Sequence, residues 1–404
     1  MGSNIVDMFN GGTVLITGST GFLGKLLTEK LLRSCEKTNI AIIVRSKKGL
    51  TAEQRTTKMY NENLFDRLRK ERPGFMNYIN VIVGDLTESP LGLSTVDRDW
   101  IVRNVNYIFH CAATIRFDEP IEIATKINIE GTEQLLNMAT QMEALNPLTT
   151  WLCSTYLEPD PGHLENMNGP TGILAGYIVG FLRVVPNRRD KITDLIPADY
   201  TVNALISTMW DTVNRFKMSY PEKPKIFNFV SSVESPLVWQ QFMTVVFNSY
   251  KAAPPFTRID WFGIILRVLL HRIPAIVFDF LLILTLNEPK FWKLYDKVGK
   301  LIHLLRPFTL NEWKFNNNNT RKSWCSLSRE DQQLFPFSMH YFDWNQYINV
   351  FYHGIRKHIL HEETDNIPMA LRKNQILFRL NQVFIFSNAY IVLRILWNRL
   401  FMSK

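Results

Sequence analysis

A short apolar run, Val14-Leu15-Ile16, reads as a buried strand, and Gly18, Gly21 and Gly24 follow it at once. Phe22, Leu23, Leu26, Leu27 and Leu31 then recur at three-and-four spacing, which predicts a helix with one apolar face. The alternation repeats downstream. Residues 40–44, 79–83, 107–109 and 150–153 are apolar runs of strand length, separated by helical spacing over 51–72 (Tyr60, Leu64, Phe65, Leu68) and by a long helix over 120–142. Five alternating units predict an α/β fold with a doubly wound parallel sheet. Residues 200–216 have helical spacing and 226–230 the look of a short strand. From Pro236 onward the pattern is helical and aromatic-rich. The expected organisation is a first domain over 1–235, a mainly helical domain over 236–363 and an apolar tail over 371–404.

A strand, a tight glycine turn and a helix start together let backbone amides approach a pyrophosphate at the positive end of the helix. Two residues between successive glycines fit the extended short-chain dehydrogenase arrangement better than G-x-G-x-x-G, so the sheet is expected to be Rossmann-like. Thr17, Gly18, Thr20, Gly21, Phe22, Leu23 and Gly24 are the candidate cofactor-binding turn. After the second strand comes Arg45-Ser46-Lys47-Lys48. An acidic residue there would hold the ribose hydroxyl of NAD, whereas arginine accommodates the 2′-phosphate of NADP. Arg45 and Lys47 therefore point to NADPH; the competing reading is a solvated charge cluster. Asp85, followed by Leu86, reads either as an acceptor for the adenine amino group or as a turn cap. Ala112 and Ala113 are small enough for a cofactor to lie against their backbone, and His110 reads as a packed strand-end residue rather than an acid or base.

At 404 residues the chain exceeds the usual size of one core, and its net charge of +9 suits nucleic acid, an anionic membrane or a polyanionic cofactor. No basic run with interleaved aromatics is present, which disfavours nucleic acid. Cys35, Cys111, Cys153 and Cys325 lack paired spacing and read as reduced, buried thiols in a cytosol-facing protein. The first ten residues have neither a basic nor an apolar leader region, and Val6 stands where myristoylation wants Ser or Thr. Two stretches invite a membrane reading. Residues 259–286 are interrupted by Arg267, His271, Arg272, Pro274 and Asp279, and read as a buried or interfacial helical pair. Residues 376–401 are interrupted by Arg379, Asn381, Gln382, Asn388 and Arg394, with arginines placed to snorkel and a longest charge-free run over 380–393; they are expected to associate with a membrane, either on its surface or as a transmembrane helix.

The motifs taken together resemble the fatty acyl-CoA reductases. They are T-G-S-T-G-F-L-G-K at 17–25, E-K-L-L-R-S-C at 29–35, G-D-L at 84–86 and H-C-A-A-T-I-R-F-D at 110–118. N-G-P-T-G at 168–172, D-L-I-P-A-D-Y-T-V-N at 194–203, W-K-F-N at 313–316, residues 327–344 and G-I-R-K-H-I-L at 354–360 extend the likeness over nearly the whole chain. The resemblance implies reduction of a long-chain acyl-CoA to a primary alcohol by two NADPH, with release of CoA, on a membrane-associated protein of the endoplasmic reticulum or peroxisome. It also implies a tyrosine that donates the proton, a lysine four residues later that lowers the tyrosine pKa, and a Ser or Thr on the carbonyl oxygen.

One segment departs from that pattern. No tyrosine in the chain is followed by a lysine four residues on, and Ser154-Thr155-Tyr156 runs directly into L-E-P-D-P-G-H-L-E-N-M-N-G-P-T-G. A parallel crossover needs a dozen or more residues, and Pro159, Pro161, Gly162, Gly169, Pro170 and Gly172 predict a loop. The Tyr-x-x-x-Lys helix and a sixth strand are therefore expected to be missing. Ser154 and Thr155 remain as candidate catalytic hydroxyls, or are simply strand-end hydroxyls. No metal site is expected.

Overall fold

The computed structural model describes residues 2–47, 49–114, 119–141, 154–165, 169–179, 188–218, 225–254, 309–376, 378–379, 382–383, 386–387 and 390. The chain forms two compact units that interleave along the sequence. The first takes residues 1–165, 192–237 and 313–351; the second takes 166–191, 238–312 and 352–404.

In the first unit, α1 (Asn4–Phe9) leads into β1 (Thr13–Thr17), every residue of which is buried. α2 (Phe22–Ser34), β2 (Asn39–Val44), α3 (Ala52–Tyr60), α4 (Asp66–Glu71) and β3 (Ile79–Val83) follow, then α5 (Thr95–Asn104) and β4 (Tyr107–His110). The described strands form one parallel sheet in the order β3-β2-β1-β4. Ile16 lies between Ile42 and Phe109, which sets the register and gathers the carboxyl ends of the strands at one edge. Strand order reverses between β1 and β4, so the crevice where a ligand enters such a sheet opens beyond Thr17 and His110. The expected fifth strand at 150–153 lies outside the described residues.

The helix expected over 120–142 is α6 (Ile121–Thr125), a π turn (Lys126–Glu130) and α7 (Gly131–Ala139) in unbroken succession. The expected strand at 226–230 does not form. The Asn319 and Thr320 side chains donate to the carbonyls of Ile226 and Asn228 at 2.7 Å each, so this backbone is satisfied by side chains. Those donors belong to α11 (Asn318–Ser326), which precedes α12 (Arg329–Leu334) and α13 (Trp344–Gly354).

α2 departs from the one-faced helix that its leucines predict. It is buried from Gly24 to Leu32, with Lys25, Glu29 and Lys30 inside. Burial of unpaired ions costs several kcal/mol each, so pairing is the condition for covering both sides. Arg33 binds Glu29 at 2.7 Å and Glu158 at 2.8 Å, Lys30 pairs with Glu158, and Lys25 holds Glu62 at 2.5 Å and Glu165 at 3.0 Å. α9 (Ala198–Met218), longer than the expected helix, packs against α2.

In the second unit the segment expected to be all loop instead starts a helix, α8 (Pro170–Ile178), with Pro170 at its first position. Proline is tolerated there because the N–H it lacks would be unpaired anyway. α10 (Trp239–Ala252) ends near Ala253, whose carbonyl accepts from the Tyr352 hydroxyl at 2.7 Å. Among the described residues no helix is long and apolar enough to cross a membrane. The apolar stretch 259–286 and most of 376–401 lie outside the described residues. Cys35 is buried as expected, but Cys325 is exposed.

Candidate functional site

Gly18 leaves β1 with φ +68°, and a Cβ placed on it would lie 2.6 Å from the Ala112 nitrogen and 2.7 Å from the Cys111 carbonyl carbon. The turn is thus pressed against the chain that leaves β4. Gly24, inside α2, has no room either: its Cβ would fall 2.7 Å from the Ser19 Cα. Gly21 donates to the Gly18 carbonyl at 2.9 Å and caps α2 without any side-chain hydrogen bond. The first-turn amides of α2 are therefore left for another acceptor, in a cradle that side chains would fill.

Arg45 and Asp85, read separately from the sequence, meet at 2.9 Å. Asp85 also accepts from the Thr87 amide at 3.0 Å and from the Thr87 hydroxyl at 2.9 Å. Burial alone would raise its pKa, but the Thr87 amide and Arg45 outweigh that and hold the carboxyl below its ordinary value. Arg55, which sequence reasoning passed over, donates to the Thr20 hydroxyl at 3.3 Å and to the Arg45 carbonyl. The signal for it was local. Thr51 and Gln54 form a capping box that fixes the start of α3 and sets Arg55 in its first turn. Among the described residues, Lys47 pairs with Leu50 through backbone hydrogen bonds.

At the β4 end, His110 is half-buried between Thr17 and Thr132. The Thr132 hydroxyl donates to the Asn128 carbonyl at 2.8 Å, so it accepts from His110 Nε2 and leaves Nδ1 to accept from Thr17 at 2.6 Å. Both nitrogens are thus engaged in a neutral ring, and burial lowers its pKa. This is the packed histidine the sequence suggests. Leu86 sits under the start of α7, where a Cβ on Gly131 would come 2.9 Å from its carbonyl oxygen. Phe22 stacks on His163 at 6.1 Å, Leu23 is half-buried, and Ala113 is exposed at the crevice.

Ser154 and Thr155 are both fully buried. The Ser154 hydroxyl donates to Tyr347 at 3.4 Å; that of Thr155 donates to the Asp160 carbonyl at 2.6 Å and accepts from the His163 amide at 2.9 Å. Among the described residues, both hydroxyls are directed to these buried partners. The Tyr156 hydroxyl donates to Gln346 at 2.6 Å, and burial with the carboxylates of Asp343 and Asp199 pushes its pKa up. A lysine at the fourth following position would act the other way; Asp160 stands there.

Asp199, at the start of α9, was also missed from the sequence. Its carboxylate accepts from the amides of Tyr156 at 2.9 Å, Leu157 at 2.7 Å and Glu158 at 3.2 Å. Burial pushes its pKa up to about 6 despite those three donors. A folded-state value above the unfolded one means that the folded chain binds the proton more tightly, so the Asp199 contribution to stability falls as pH rises from about 4 to about 6. In denaturant unfolding, wild type will gain about 2–3 kcal/mol of stability relative to Asp199→Asn on acidification from pH 7 to pH 4. A constant gap would refute the assignment.

A family model described as male sterility protein, for an NAD-binding domain, matches residues 16–155, and a second with the same description matches 270–362. Fatty acyl-CoA reductase wat of Drosophila melanogaster is 28% identical over 452 residues, covering 89% of this chain and 86% of that protein. Fatty acyl-CoA reductase 1 of Rattus norvegicus is 29% identical over 459 residues, covering 91% and 88%. Both alignments are longer than the 404-residue chain, so these relatives carry residues for which it has none. The first family match stops at Thr155, where the motif gap begins. Among solved structures, the reductase (R) domain of a non-ribosomal peptide synthetase from Mycobacterium tuberculosis superposes with TM-score 0.56 at 15% identity, covering 89% of this chain and 94% of that one. The terminal R domain of the myxalamid pathway gives 0.54 at 16%, covering 86% and 91%. These likenesses establish the Rossmann-like fold.

Proposed function

We infer, from the chain's membership of the fatty acyl-CoA reductase family, that this oxidoreductase uses NADPH to reduce a long-chain acyl-CoA to the fatty alcohol. The observation that carries the cofactor half is the glycine turn pressed on Ala112, with the α2 amides left uncapped. Those amides would receive the pyrophosphate. Arg45 and Arg55 would face the 2′-phosphate and Asp85 the adenine amino group, while Ala112 and Ala113 leave room beside the backbone. NADPH, when bound, supplies the hydride. Burial and the nearby carboxylates keep the Tyr156 phenol from serving as an activated donor. Exposed Ile376, Phe378, Val383, Phe386 and Tyr390 support docking of the tail on a membrane, where such substrates partition.

Removing one charged phosphate contact costs about 1.5–3 kcal/mol, or roughly 10- to 100-fold in affinity. Arg55→Ala will weaken NADPH binding by about that factor and leave NADH binding unchanged. Fluorescence titration with both cofactors decides the matter, and equal losses would remove Arg55 from the 2′-phosphate site. Incubation with NADPH and a palmitoyl-length acyl-CoA tests the whole reading by alcohol formation. A second reading, cofactor and lipid binding without turnover, is favoured by the closed hydroxyls of Ser154 and Thr155; bound NADPH without product would support it.

A further inference from the structure

Three stretches that cofactor binding leaves unused meet inside the first unit: E-K-L-L-R-S-C at 29–35, D-L-I-P-A-D-Y-T-V-N at 194–203 and residues 327–344. α2 contributes Glu29, Lys30 and Arg33, α9 contributes Asp199 and Asn203, and Glu158 comes from the segment between them in sequence. Arg33 holds Glu29 at 2.7 Å and Glu158 at 2.8 Å, and Lys30 also holds Glu158. Arg67 stands at the rim, 3.7 Å from Glu158, with Glu71 its closer partner at 2.8 Å. Two interior cations thus face three carboxyls. Among the described residues, Asp199 is the one left without an ion pair, and its partners are the amides of 156–158. The phenols of Tyr156 and Tyr200 complete its surroundings, and burial keeps both protonated.

Asn203 follows Asp199 by four residues on α9, so the two side chains are neighbours on one face of the helix. It is 1% exposed. Its Nδ2 donates to the Pro336 carbonyl at 2.9 Å and towards Glu158 Oε1 at 3.5 Å, which fixes the amide, because only the nitrogen can serve two acceptors. That leaves Oδ1 as a buried acceptor without a partner among the described residues. Asp199 and Asn203, together with Glu29, Lys30 and Glu158, line one small cavity, about 10 Å³ to the centre of a water molecule, which admits a single water. An unmatched carboxylate and an orphaned acceptor share one remedy. We propose that this cavity is a single-proton site, in which a proton taken from solvent onto the Asp199 carboxyl is donated, directly or through one water, to Asn203 Oδ1 and latches the turn over residues 156–158. The proton removes the unpaired charge, and the carboxyl oxygens keep lone pairs for the amides. The start of α9 grips this segment at a second point, since the Ala198 amide donates to the Ser154 carbonyl at 3.1 Å. Opening the turn hydrates Asp199 and releases its proton, so acid tightens the latch. Its folded-state value lies above the open-state one, so the added hold is full near pH 4 and is lost as pH rises through about 6.

The test uses the full chain, made with isotope-labelled aspartate, and follows the carboxylic-acid C=O band in the infrared as pH is varied. A band moved by the label will titrate with a midpoint near pH 6 and will be missing from Asp199→Asn. Asn203→Ala will lower that midpoint, a loss of about three- to tenfold in proton affinity, the worth of one hydrogen bond. A merely structural asparagine would leave the midpoint in place. Amide exchange over residues 154–160, read by mass spectrometry, supplies a second measure that needs no variant. Protection, corrected for the intrinsic rate, will rise about tenfold from pH 7 to pH 5 in wild type. It will stay level in Asp199→Asn, whose neutral amide stands in for the protonated carboxyl. Absence of the aspartate band at pH 5, level protection in wild type, or a midpoint indifferent to Asn203→Ala overturns the proposal. So does a midpoint that moves when sodium or potassium replaces choline at fixed ionic strength, since a metal cation would then occupy the cavity.

Discussion

Purified chain given NADPH and a palmitoyl-length acyl-CoA will form fatty alcohol about 10²- to 10⁴-fold more slowly than rat fatty acyl-CoA reductase 1 assayed beside it, because a positioned general acid contributes that factor. Hydride arriving at an acyl carbon leaves charge on the oxygen, and a proton must meet it. The resemblance implies, for this step, a tyrosine with a lysine four residues on. Here Tyr156 has Asp160 at that place, donates its phenolic O–H in a hydrogen bond to Gln346 and has its pKa pushed up. His110 cannot substitute, since its neutral ring is engaged on both sides by Thr17 and Thr132. Ser154 and Thr155 are turned into the protein. NADPH affinity, by contrast, will stay within about tenfold of the relative's, a difference of about 1.4 kcal/mol or less. Insertion of the relative's intervening residues after Thr155 will recover most of the lost rate. Unmodified chain matching the complete enzyme would show that another donor operates.

Gly18→Ala will both destabilise the first unit and abolish measurable NADPH binding. The left-handed φ of +68° costs an L-residue about 1–2 kcal/mol. The new methyl, 2.6 Å from a backbone nitrogen, adds about 1–3 kcal/mol of overpacking, because backbone cannot rotate aside as a side chain can. The total is a sizeable fraction of the roughly 5–15 kcal/mol that holds a typical domain together. Gly11→Ala is the control. Gly11 has φ +79° but nothing within 4 Å of the place its new methyl would take, so only the conformational cost of about 1 kcal/mol remains. Chemical denaturation and NADPH titration of the two variants separate strain from crowding; equal effects would mean that the close approach to Ala112 is unimportant.

How far the sequence could be read differs along the chain for identifiable reasons. Strands β1 and β2 were legible because strands buried on both faces are continuous apolar runs, and β1 is buried throughout; β3, at the edge of the described sheet, keeps an apolar run although only Ile82 is buried. The misread strand at 226–230 has the same composition, but side chains from α11 take its carbonyls. Apolar character shows that a segment is buried, not which partner satisfies its backbone. α2 shows the complementary limit. Its leucine stripe was visible, yet Lys25, Glu29 and Lys30 look like a solvent face until Glu62, Glu158 and Glu165 arrive from distant sequence to pair with them.

The sequence by itself determined the glycine turn, the basic residue after β2 and the absence of a Tyr-x-x-x-Lys pair, because each depends on residue type at fixed local spacing. Only the tertiary structure decided that Arg45 and Asp85 meet, that Arg55 reaches Thr20, and that Asp199 gathers the amides of 156–158. It likewise closed the hydroxyls of Ser154 and Thr155. Hydrogen bonds and ion pairs join groups tens to hundreds of residues apart, and neither periodicity nor composition records which of many equivalent polar side chains the folded backbone brings within about 3 Å.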